Sequence, residues 1–202
     1  MRIIAGIAKG RSLSSVAGAT RPTSDRAREA IFSTLTSEFG DFLGLHILDL
    51  FAGSGAMGLE ALSRGASLVH CVEKDDAAAK TISTNSALVQ KSQPVGVFHL
   101  FHMAVQKFVE GSPENQYHFV YIDPPYDFAD SELTIILEKL QSNNFFKDGA
   151  VIAVERASKS AQPTWPQGYE PSRTKVYGQA SIYYANYAKN GSAQKSLLAF
   201  DP

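Results

Sequence analysis

Cysteine is almost missing from this sequence, and Cys71 is its only occurrence. A single thiol cannot form an internal disulfide, so the chain suits a reducing compartment, and the apolar run around it predicts an inert core residue. The five histidines are scattered rather than grouped at zinc-ligand spacing. No apolar stretch approaches the length of a membrane span, and no N-terminal signal pattern is found. These absences predict a cytoplasmic protein that uses neither a metal nor a membrane.

An excess of charge of one sign is also missing, since the formal net charge is −1. The charges are nevertheless segregated along the chain. Residues 1–30 carry six basic and two acidic side chains, a balance of +4, and residues 156–202 carry the same balance. The stretch between them carries sixteen acidic and seven basic side chains, a balance of −9. Basic ends around an acidic middle favour a polyanionic substrate that is held from both ends of the chain.

The most informative motif that is present is Asp123-Pro124-Pro125-Tyr126. It follows the apolar run 119–122, which predicts a buried strand. Two prolines cannot continue a hydrogen-bonded ladder, so the strand must end there and leave a rigid rim. The Asp123 carboxylate and a proline carbonyl can accept the two N–H bonds of a planar amine, while the Tyr126 ring stacks on its base. We therefore predict that these four residues are catalytic.

A second apolar run, at 46–51, leads into a turn that carries Gly53, Gly55 and Gly58 and then into a helical stretch. A strand, a glycine turn and a helix in that order place a cofactor against bare backbone at the helix N-terminus. The glycines match the dinucleotide fingerprint G-x-G-x-x-G. Glu73, at the end of the next predicted strand, lies where the ribose acid of that fingerprint is expected.

The glycine turn alone does not distinguish NAD from S-adenosylmethionine. Asp49 comes just before the turn, where it can bind the ammonium group of a ligand. The chain is too short for the second half-sheet and the catalytic domain of most dehydrogenases, and the rim at Asp123 has no role in hydride transfer. S-adenosylmethionine is therefore favoured, with its amino-acid end at Asp49 and its ribose at Glu73.

Predicted strands and helices alternate through the middle of the chain, which indicates an α/β fold with a mostly parallel sheet. The last two predicted strands, 174–176 and 181–187, form an antiparallel hairpin. A further hairpin is predicted at 2–16, with Lys9 and Arg11 at its tip. The predicted organisation is an N-terminal β-hairpin extension at 1–19, a main domain at 20–188 and a tail at 189–202.

Four segments of the chain are informative in combination, namely Arg2-Ile3-Ile4-Ala5-Gly6, Thr20-Arg21-Pro22-Thr23-Ser24-Asp25-Arg26-Ala27-Arg28-Glu29, Leu48-Asp49-Leu50-Phe51-Ala52-Gly53-Ser54-Gly55 and Asp123-Pro124-Pro125-Tyr126. Together they resemble the RsmD family of bacterial methyltransferases, which act on N2 of guanine 966 of 16S ribosomal RNA. The resemblance spans nearly the whole chain, to about Tyr187. Many amino-methyltransferases share the glycine motif and the rim, whereas the Thr-Arg-Pro-Thr entry beside a short hairpin narrows the family.

The resemblance implies a Rossmann-like, S-adenosylmethionine-dependent methyltransferase with a seven-stranded, mostly parallel sheet and an antiparallel C-terminal hairpin. The residues it implies for the cofactor are Asp49, Phe51, Gly53 and Gly55 at the methionine end, Glu73 at the ribose, and Lys74 and Ala104 near the adenine. Many methyltransferases carry an acid where this chain has Ala104, so an adenine contact there would come from backbone groups.

Two residues at the start of the first predicted helix are also expected to bind the cofactor. These are Thr23 and Arg26, with Arg26 near the carboxylate of S-adenosylmethionine. The basic residues assigned to RNA binding are Lys9, Arg11, Arg21 and Arg28. The expected partner is 16S rRNA or the assembling small ribosomal subunit, and the expected state is a monomer.

The expected mechanism is direct in-line methyl transfer to a base that leaves its stack, without a covalent enzyme intermediate. Two alternatives stay open. An amino-methyltransferase acting on DNA adenine or on a protein glutamine uses a closely similar rim. A non-catalytic RNA-binding module could also retain a decayed cofactor fold, although the intact Asp49, glycine turn, Glu73 and Asp123 argue against decay.

Overall fold

The computed structural model describes residues 1–16 and 25–189, and there the chain forms one sheet with helices on both faces. The helices are α1 (Asp25–Phe39), α2 (Ala56–Ser63), α3 (Asp76–Gln90), α4 (Val105–Glu110) and α5 (Asp130–Ser142). The strands are β1 (His46–Leu50), β2 (Leu68–Glu73), β3 (Val97–His102), β4 (Tyr117–Ile122), β5 (Phe146–Ala157), β6 (Tyr169–Tyr177) and β7 (Ala180–Tyr187).

The order of the strands in the sheet is β3-β2-β1-β4-β5-β7-β6. Strands β1 to β5 are parallel to their neighbours within that set, whereas β7 is antiparallel to both β5 and β6. The predicted seven-stranded sheet with an antiparallel C-terminal pair is therefore confirmed. The chain builds outward from β1 in one direction with β2 and in the other with β4. In open α/β sheets, ligands bind at the carboxyl ends of the strands at such a reversal point.

Two apolar cores lie on the two faces of the sheet, and alternate residues of each strand contribute to them. Ile47 of β1 packs in the core beneath α1, α2 and α3. Its neighbours Leu48 and Leu50 pack in the opposite core, beneath α4 and α5. This alternation puts Asp49 on the face that α1, α2 and α3 cover, so its carboxyl group is buried among helices rather than exposed at an edge.

Strands β5 and β6 both begin earlier than the local sequence predicts. The apolar run that predicts β5 begins at Ala150, but Phe146 already pairs with Tyr117 of β4. Strand β6 begins at Tyr169, five residues before the predicted strand at 174–176. The Tyr169 ring packs edge-on against Phe146 at 5.6 Å, and its hydroxyl donates to the Leu137 carbonyl at 2.6 Å. Packing at this end of the sheet thus overrides the nearby proline and glycine signals.

The N-terminal segment, residues 1–16, folds back on itself through backbone bonds, such as the Ile3 amide to the Arg11 carbonyl at 2.9 Å, and is also held against α2. A single antiparallel bridge joins Arg2 to Ser12, and no longer strand is assigned within these sixteen residues. The amides of Ile4 and Ala5 donate instead to the fully buried carboxylate of Glu60, at 2.7 and 3.0 Å. Because Gly6 has φ +81° and a Cβ there would lie 1.8 Å from the Ser63 carbonyl oxygen, only glycine allows this close contact.

Candidate active site

The turn after β1 brings its backbone into unusual conformations. Gly53 and Gly55 have φ of +55° and +75°, which glycine adopts without strain. Phe51 has φ +59°, a left-handed conformation that is sterically costly for a bulky side chain. The Phe51 ring packs edge-on against Phe128 beyond the rim, with ring centroids 5.2 Å apart. Strain of this kind concentrates at ligand sites, and no sequence signal marked Phe51 for it.

Gly58 sets how closely α2 approaches the sheet. A Cβ at this position would lie 2.6 Å from the Cys71 sulfur and 2.9 Å from a Val69 methyl carbon, so α2 could not pack this closely with any larger residue. The approach places the first turn of α2 above the end of β1. There the Gly58 amide, one of the donors that a helix N-terminus leaves unpaired, donates to Asp49 Oδ2 at 3.0 Å.

Asp49 is 2% exposed and carries a strongly perturbed carboxyl group. Burial raises its pKa to about 7, and the charge of Glu73 adds to this, while the hydrogen bonds from Gly58 and Cys71 oppose it. Both of these donors contact Oδ2, the thiol at 3.8 Å. Within residues 1–16 and 25–189, Oδ1 accepts no hydrogen bond. That oxygen is available to a cationic ligand, whose charge would favour ionisation of the carboxyl group.

Glu73 joins the end of β2 to the glycine turn. Its Oε2 accepts the Gly53 amide at 2.9 Å, and its Oε1 accepts the amides of Lys74 and Asp75 at 2.8 and 2.9 Å. Three backbone donors therefore fix this carboxylate at the carboxyl edge of the sheet, beside the turn. The Lys74 side chain is exposed. Ala104 lies just before α4.

One cavity of about 240 Å³ brings together residues that the sequence predicted separately. Asp49, Phe51 and Gly53 from the cofactor set and Asp123 from the rim all line it. The remaining described members of the cofactor set, namely Gly55, Glu73, Lys74, Ala104 and Arg26, are not among its lining residues. The Asp123 amide donates to the Leu50 carbonyl at 3.3 Å, which fastens the rim to the end of β1. The cavity therefore spans the gap between the glycine turn and the rim.

The loop that follows the rim is held by hydrogen bonds from a residue that the sequence did not identify. Arg156, 6% exposed at the end of β5, donates from Nη2 to the Phe128 carbonyl at 2.9 Å and to Asp130 at 2.7 Å. The Phe128 amide in turn donates to the Pro125 carbonyl at 2.9 Å. These bonds hold the loop after the prolines, where the Tyr126 side chain is 51% exposed and accessible to a base.

The N-terminal segment forms a wall of the same cavity, through Met1, Ser15 and Val16. The predicted N-terminal extension is therefore part of the cavity wall. The cause is Asn85 of α3, whose Nδ2 donates to the carbonyls of Ser14 and Ser54, each at 3.0 Å. This one side chain ties the segment to the glycine turn. Its long sequence separation from both partners left no local pattern to detect.

The basic residues assigned to RNA lie in different environments. Lys9 is exposed, but Arg11 is half-buried and donates from Nε to Ser92 Oγ at 2.6 Å. Arg28 is fully buried and lines the cavity, so its assignment to RNA phosphates is corrected, because a phosphate contact needs an accessible cation. Arg26 is exposed two residues earlier on α1. Thr23 and Arg21 lie outside the described residues.

The signal that distinguishes Arg28 from Arg26 was present in the sequence. The buried side chains of α1 include Arg28, Ile31, Phe32 and Leu35, which are spaced i, i+3, i+4 and i+7. That spacing defines the inward face of a helix. Arg26 falls off this face, so the spacing predicts that Arg28 is buried and Arg26 is exposed.

The described part of the chain contains no group of three or more histidine, cysteine, aspartate or glutamate side chains that could hold a metal ion. In the same residues, every helix is too short or too polar to cross a membrane.

The open sheet, the glycine turn after β1, the acid at the end of β2 and the Asp-Pro-Pro-Tyr rim after β4 define a Rossmann-like, S-adenosylmethionine-dependent methyltransferase. The family model described as Conserved hypothetical protein 95 matches residues 1–186. The chain belongs to this family, the RsmD family of the sequence resemblance. The predictions of family, fold class and cofactor are thereby confirmed.

Curated and solved relatives agree with this assignment. The chain is 36% identical over 197 residues to the Ribosomal RNA small subunit methyltransferase D of Escherichia coli strain K12, covering 96% of this chain and 92% of that protein. The solved structure of yhhF from Escherichia coli superposes with a TM-score of 0.77 at 33% identity, covering 93% of this chain and 98% of that one. At 13% identity and a TM-score of 0.61, the Synechocystis magnesium protoporphyrin IX methyltransferase, solved with bound S-adenosylmethionine, shares the fold, covering 81% of this chain and 79% of that one.

Proposed function

We propose that this protein transfers a methyl group from S-adenosylmethionine to the exocyclic N2 amine of a guanine, position 966 of 16S rRNA. The name of the Escherichia coli relative supports ribosomal RNA as the substrate class. The finer assignment, to N2 and to that position, rests on the motifs that resemble the family. The observation that carries the proposal is the single cavity lined by both Asp49 and Asp123, at the ends of the adjacent parallel strands β1 and β4.

The residues present fit S-adenosylmethionine better than NAD. A dinucleotide places its pyrophosphate on the N-terminus of the helix after the glycine turn. Here the Asp49 carboxyl group already accepts the Gly58 amide of that helix turn, and Asp123 adds a second carboxyl group to the cavity. Two acids repel a phosphate but suit an ammonium and a sulfonium group. Asp49 would hold the ammonium group, the bare backbone at Gly53 would allow close approach, and Glu73 would bind the ribose hydroxyls.

At the rim, the side chains prepare the acceptor. The lone pair of a guanine amine is delocalised into the ring, which makes the nitrogen a weak nucleophile. Hydrogen bonds from its two N–H groups to the Asp123 carboxylate and the Pro124 carbonyl would favour a pyramidal nitrogen. Tyr126 would stack on the base and hold it in place, so that positioning supplies much of the acceleration. When bound, S-adenosylmethionine supplies an electrophilic methyl group on a sulfonium.

The test is methylation of defined substrates by the full chain with methyl-labelled S-adenosylmethionine. We expect label in 16S rRNA or in small subunits from cells that lack this protein, recovered as N2-methylguanosine in the fragment that contains position 966. Mass spectrometry of nucleosides and of nuclease fragments makes both assignments. Label in DNA adenine or in a protein glutamine, with none in rRNA, would replace the proposal with one of the other amino-methyltransferase activities.

A role for the N-terminal segment in RNA binding predicts a change in salt dependence. Lys9 is exposed, so Lys9→Ala should flatten the slope of log affinity against log salt by about one unit, the loss of one phosphate contact. Arg11→Ala should flatten the slope by less than one unit, because the Arg11 side chain already donates to Ser92. Filter binding of 16S rRNA across a salt series measures the slope. The matched control is Lys139→Ala, which removes an exposed lysine in the last turn of α5. If Lys9→Ala and Arg11→Ala keep the slope of the wild type and of this control, the N-terminal segment does not contact the RNA phosphates.

A further inference from the structure

We propose that Arg28 binds the α-carboxylate of S-adenosylmethionine and is the residue that makes the site specific for an intact amino-acid end. The inference rests on the proposed function, since it assigns a part of the same cofactor site. It replaces Arg26, which the sequence placed near that carboxylate.

The first observation is that Arg28 is buried with unused hydrogen-bond donors. Its side chain is fully buried, and its Nη2 donates to the Arg2 carbonyl and to Asp25 at 2.8 Å. Its Nε and Nη1 have no partner among the residues that the structure describes. A buried guanidinium with unpaired N–H groups is costly, and a charged acceptor is what offsets the loss of water most effectively. The arrangement is therefore incomplete without a further acceptor.

The second observation is where this guanidinium lies. Arg28 lines the same cavity as Asp49, Gly53 and Asp123. It is the one basic side chain among the described residues lining that cavity. The two carboxyl groups would repel a carboxylate ligand if nothing opposed them. Arg28, which α1 contributes to the cavity wall, supplies a positive charge that opposes this repulsion. Its Nη1 and Nε offer N–H donors that suit a carboxylate oxygen.

The ligand chemistry matches this distribution of charge. The methionine end of the cofactor carries an ammonium and a carboxylate on one carbon atom. Asp49 Oδ1 accepts no bond in the described structure, and Arg28 Nε and Nη1 have no acceptor, so these two residues of one cavity complement the two groups. The Asp25 side chain, 48% exposed, accepts from Nη2 and so holds the guanidinium in place. Arg28 is thus a binding residue, and Asp25 positions it.

The test compares S-adenosylmethionine with its decarboxylated analogue, which keeps the sulfonium, the ammonium and the nucleoside. Asp49 and Asp123 alone would favour the analogue, because it lacks the negative charge of the α-carboxylate. We expect the wild-type chain to bind S-adenosylmethionine about 10- to 100-fold more tightly than the analogue, the effect of a charge-assisted hydrogen bond. Arg28→Met should lose this preference and bind the analogue at least as tightly as S-adenosylmethionine. Isothermal calorimetry measures both affinities.

The controls separate this role from a structural one. Arg26→Met changes an exposed arginine of the same helix and should keep the wild-type preference. Arg28→Lys retains the charge and should keep part of it, which covers the case in which Arg28→Met does not fold. Equal binding of both ligands by the wild type, or full preference in a folded Arg28→Met, would overturn the inference. A preference that depends on Arg28, in a chain that does not methylate rRNA, would support the inference and contradict the proposed substrate.

Discussion

Asp123→Ala is expected to lower the rate of methyl transfer by roughly 100-fold or more, the scale seen when one preorganised polar contact to a reacting group is removed. The physical reason is that Asp123 is proposed to accept a hydrogen bond from the target amine, at the rim that follows β4. Single-turnover transfer to small subunits, with saturating cofactor, measures the chemical step. Binding of S-adenosylmethionine should change much less, because the contacts proposed to hold the cofactor, at Asp49, Arg28 and Glu73, remain.

The matched control is Asp127→Ala, which removes an exposed carboxylate from the loop that follows the same rim. It lowers the local negative charge by the same amount without touching the proposed amine acceptor. Thermal unfolding of both variants shows whether either substitution destabilises the fold. Near-normal turnover in a folded Asp123→Ala would show that the amine is not held by this carboxylate.

The affinity for S-adenosylmethionine is expected to rise with pH through about 7, the pKa to which burial raises the Asp49 carboxyl group. The proposed ammonium contact needs the ionised carboxylate, which is the minor form below that pH. Binding should therefore weaken by about tenfold per pH unit below 7, approaching 100-fold at pH 5. Calorimetry from pH 5 to pH 7.5 measures the slope. Asp49→Asn should bind weakly and with no comparable dependence on pH in this range.

The Asp49 carboxyl group also makes the stability of the cofactor-free protein depend on pH. Its folded-state pKa of about 7 lies above the ordinary value of 3.8, so folding favours the neutral form. The contribution of Asp49 to stability is therefore greatest below pH 3.8 and is lost as pH rises through 7. A shift of about three units corresponds to roughly 4 kcal/mol as an upper limit. Asp49→Asn keeps the bond to the Gly58 amide without the buried charge.

Denaturant unfolding without cofactor therefore has a defined expected result. The difference in unfolding free energy between Asp49→Asn and the wild type should grow in favour of the variant as pH rises from 5 to 8. A difference that stays constant would mean that Asp49 titrates near its ordinary pKa in the folded protein. In that case the pH dependence proposed for cofactor binding would also be lost.

The two arginines of α1, Arg26 and Arg28, show how much of this site could be predicted from the sequence. Charge and proximity grouped Arg26 with the cofactor and Arg28 with RNA, whereas the structure exposes the first and buries the second in the cavity. The i, i+3, i+4 spacing of Arg28 with Ile31 and Phe32 indicated that Arg28 is buried. An arginine is rarely buried unless it is paired, and one of the two partners of Arg28, the Arg2 carbonyl, lies on a segment that the helix pattern does not include.

The N-terminal segment shows the opposite limit. Its contacts join residues separated by more than fifty positions, such as Ile4 with Glu60 and Ser14 with Asn85. No periodicity or turn signal encodes such pairs. The segment's place in the cavity wall, through Met1, Ser15 and Val16, is therefore a property of the packed fold alone.

The sequence by itself determined the order of strands and helices, the glycine turn, the rim and the family, because each depends on local patterns. Apolar runs, glycines and prolines constrain the backbone within a few residues, and these constraints survive into the fold. Only the tertiary structure decided which charges are buried, that Asp49 and Asp123 line one cavity with Arg28, and that the N-terminal segment forms part of its wall. Burial and pKa depend on neighbours from distant parts of the chain, and these neighbours meet only when the sheet and its helices have packed.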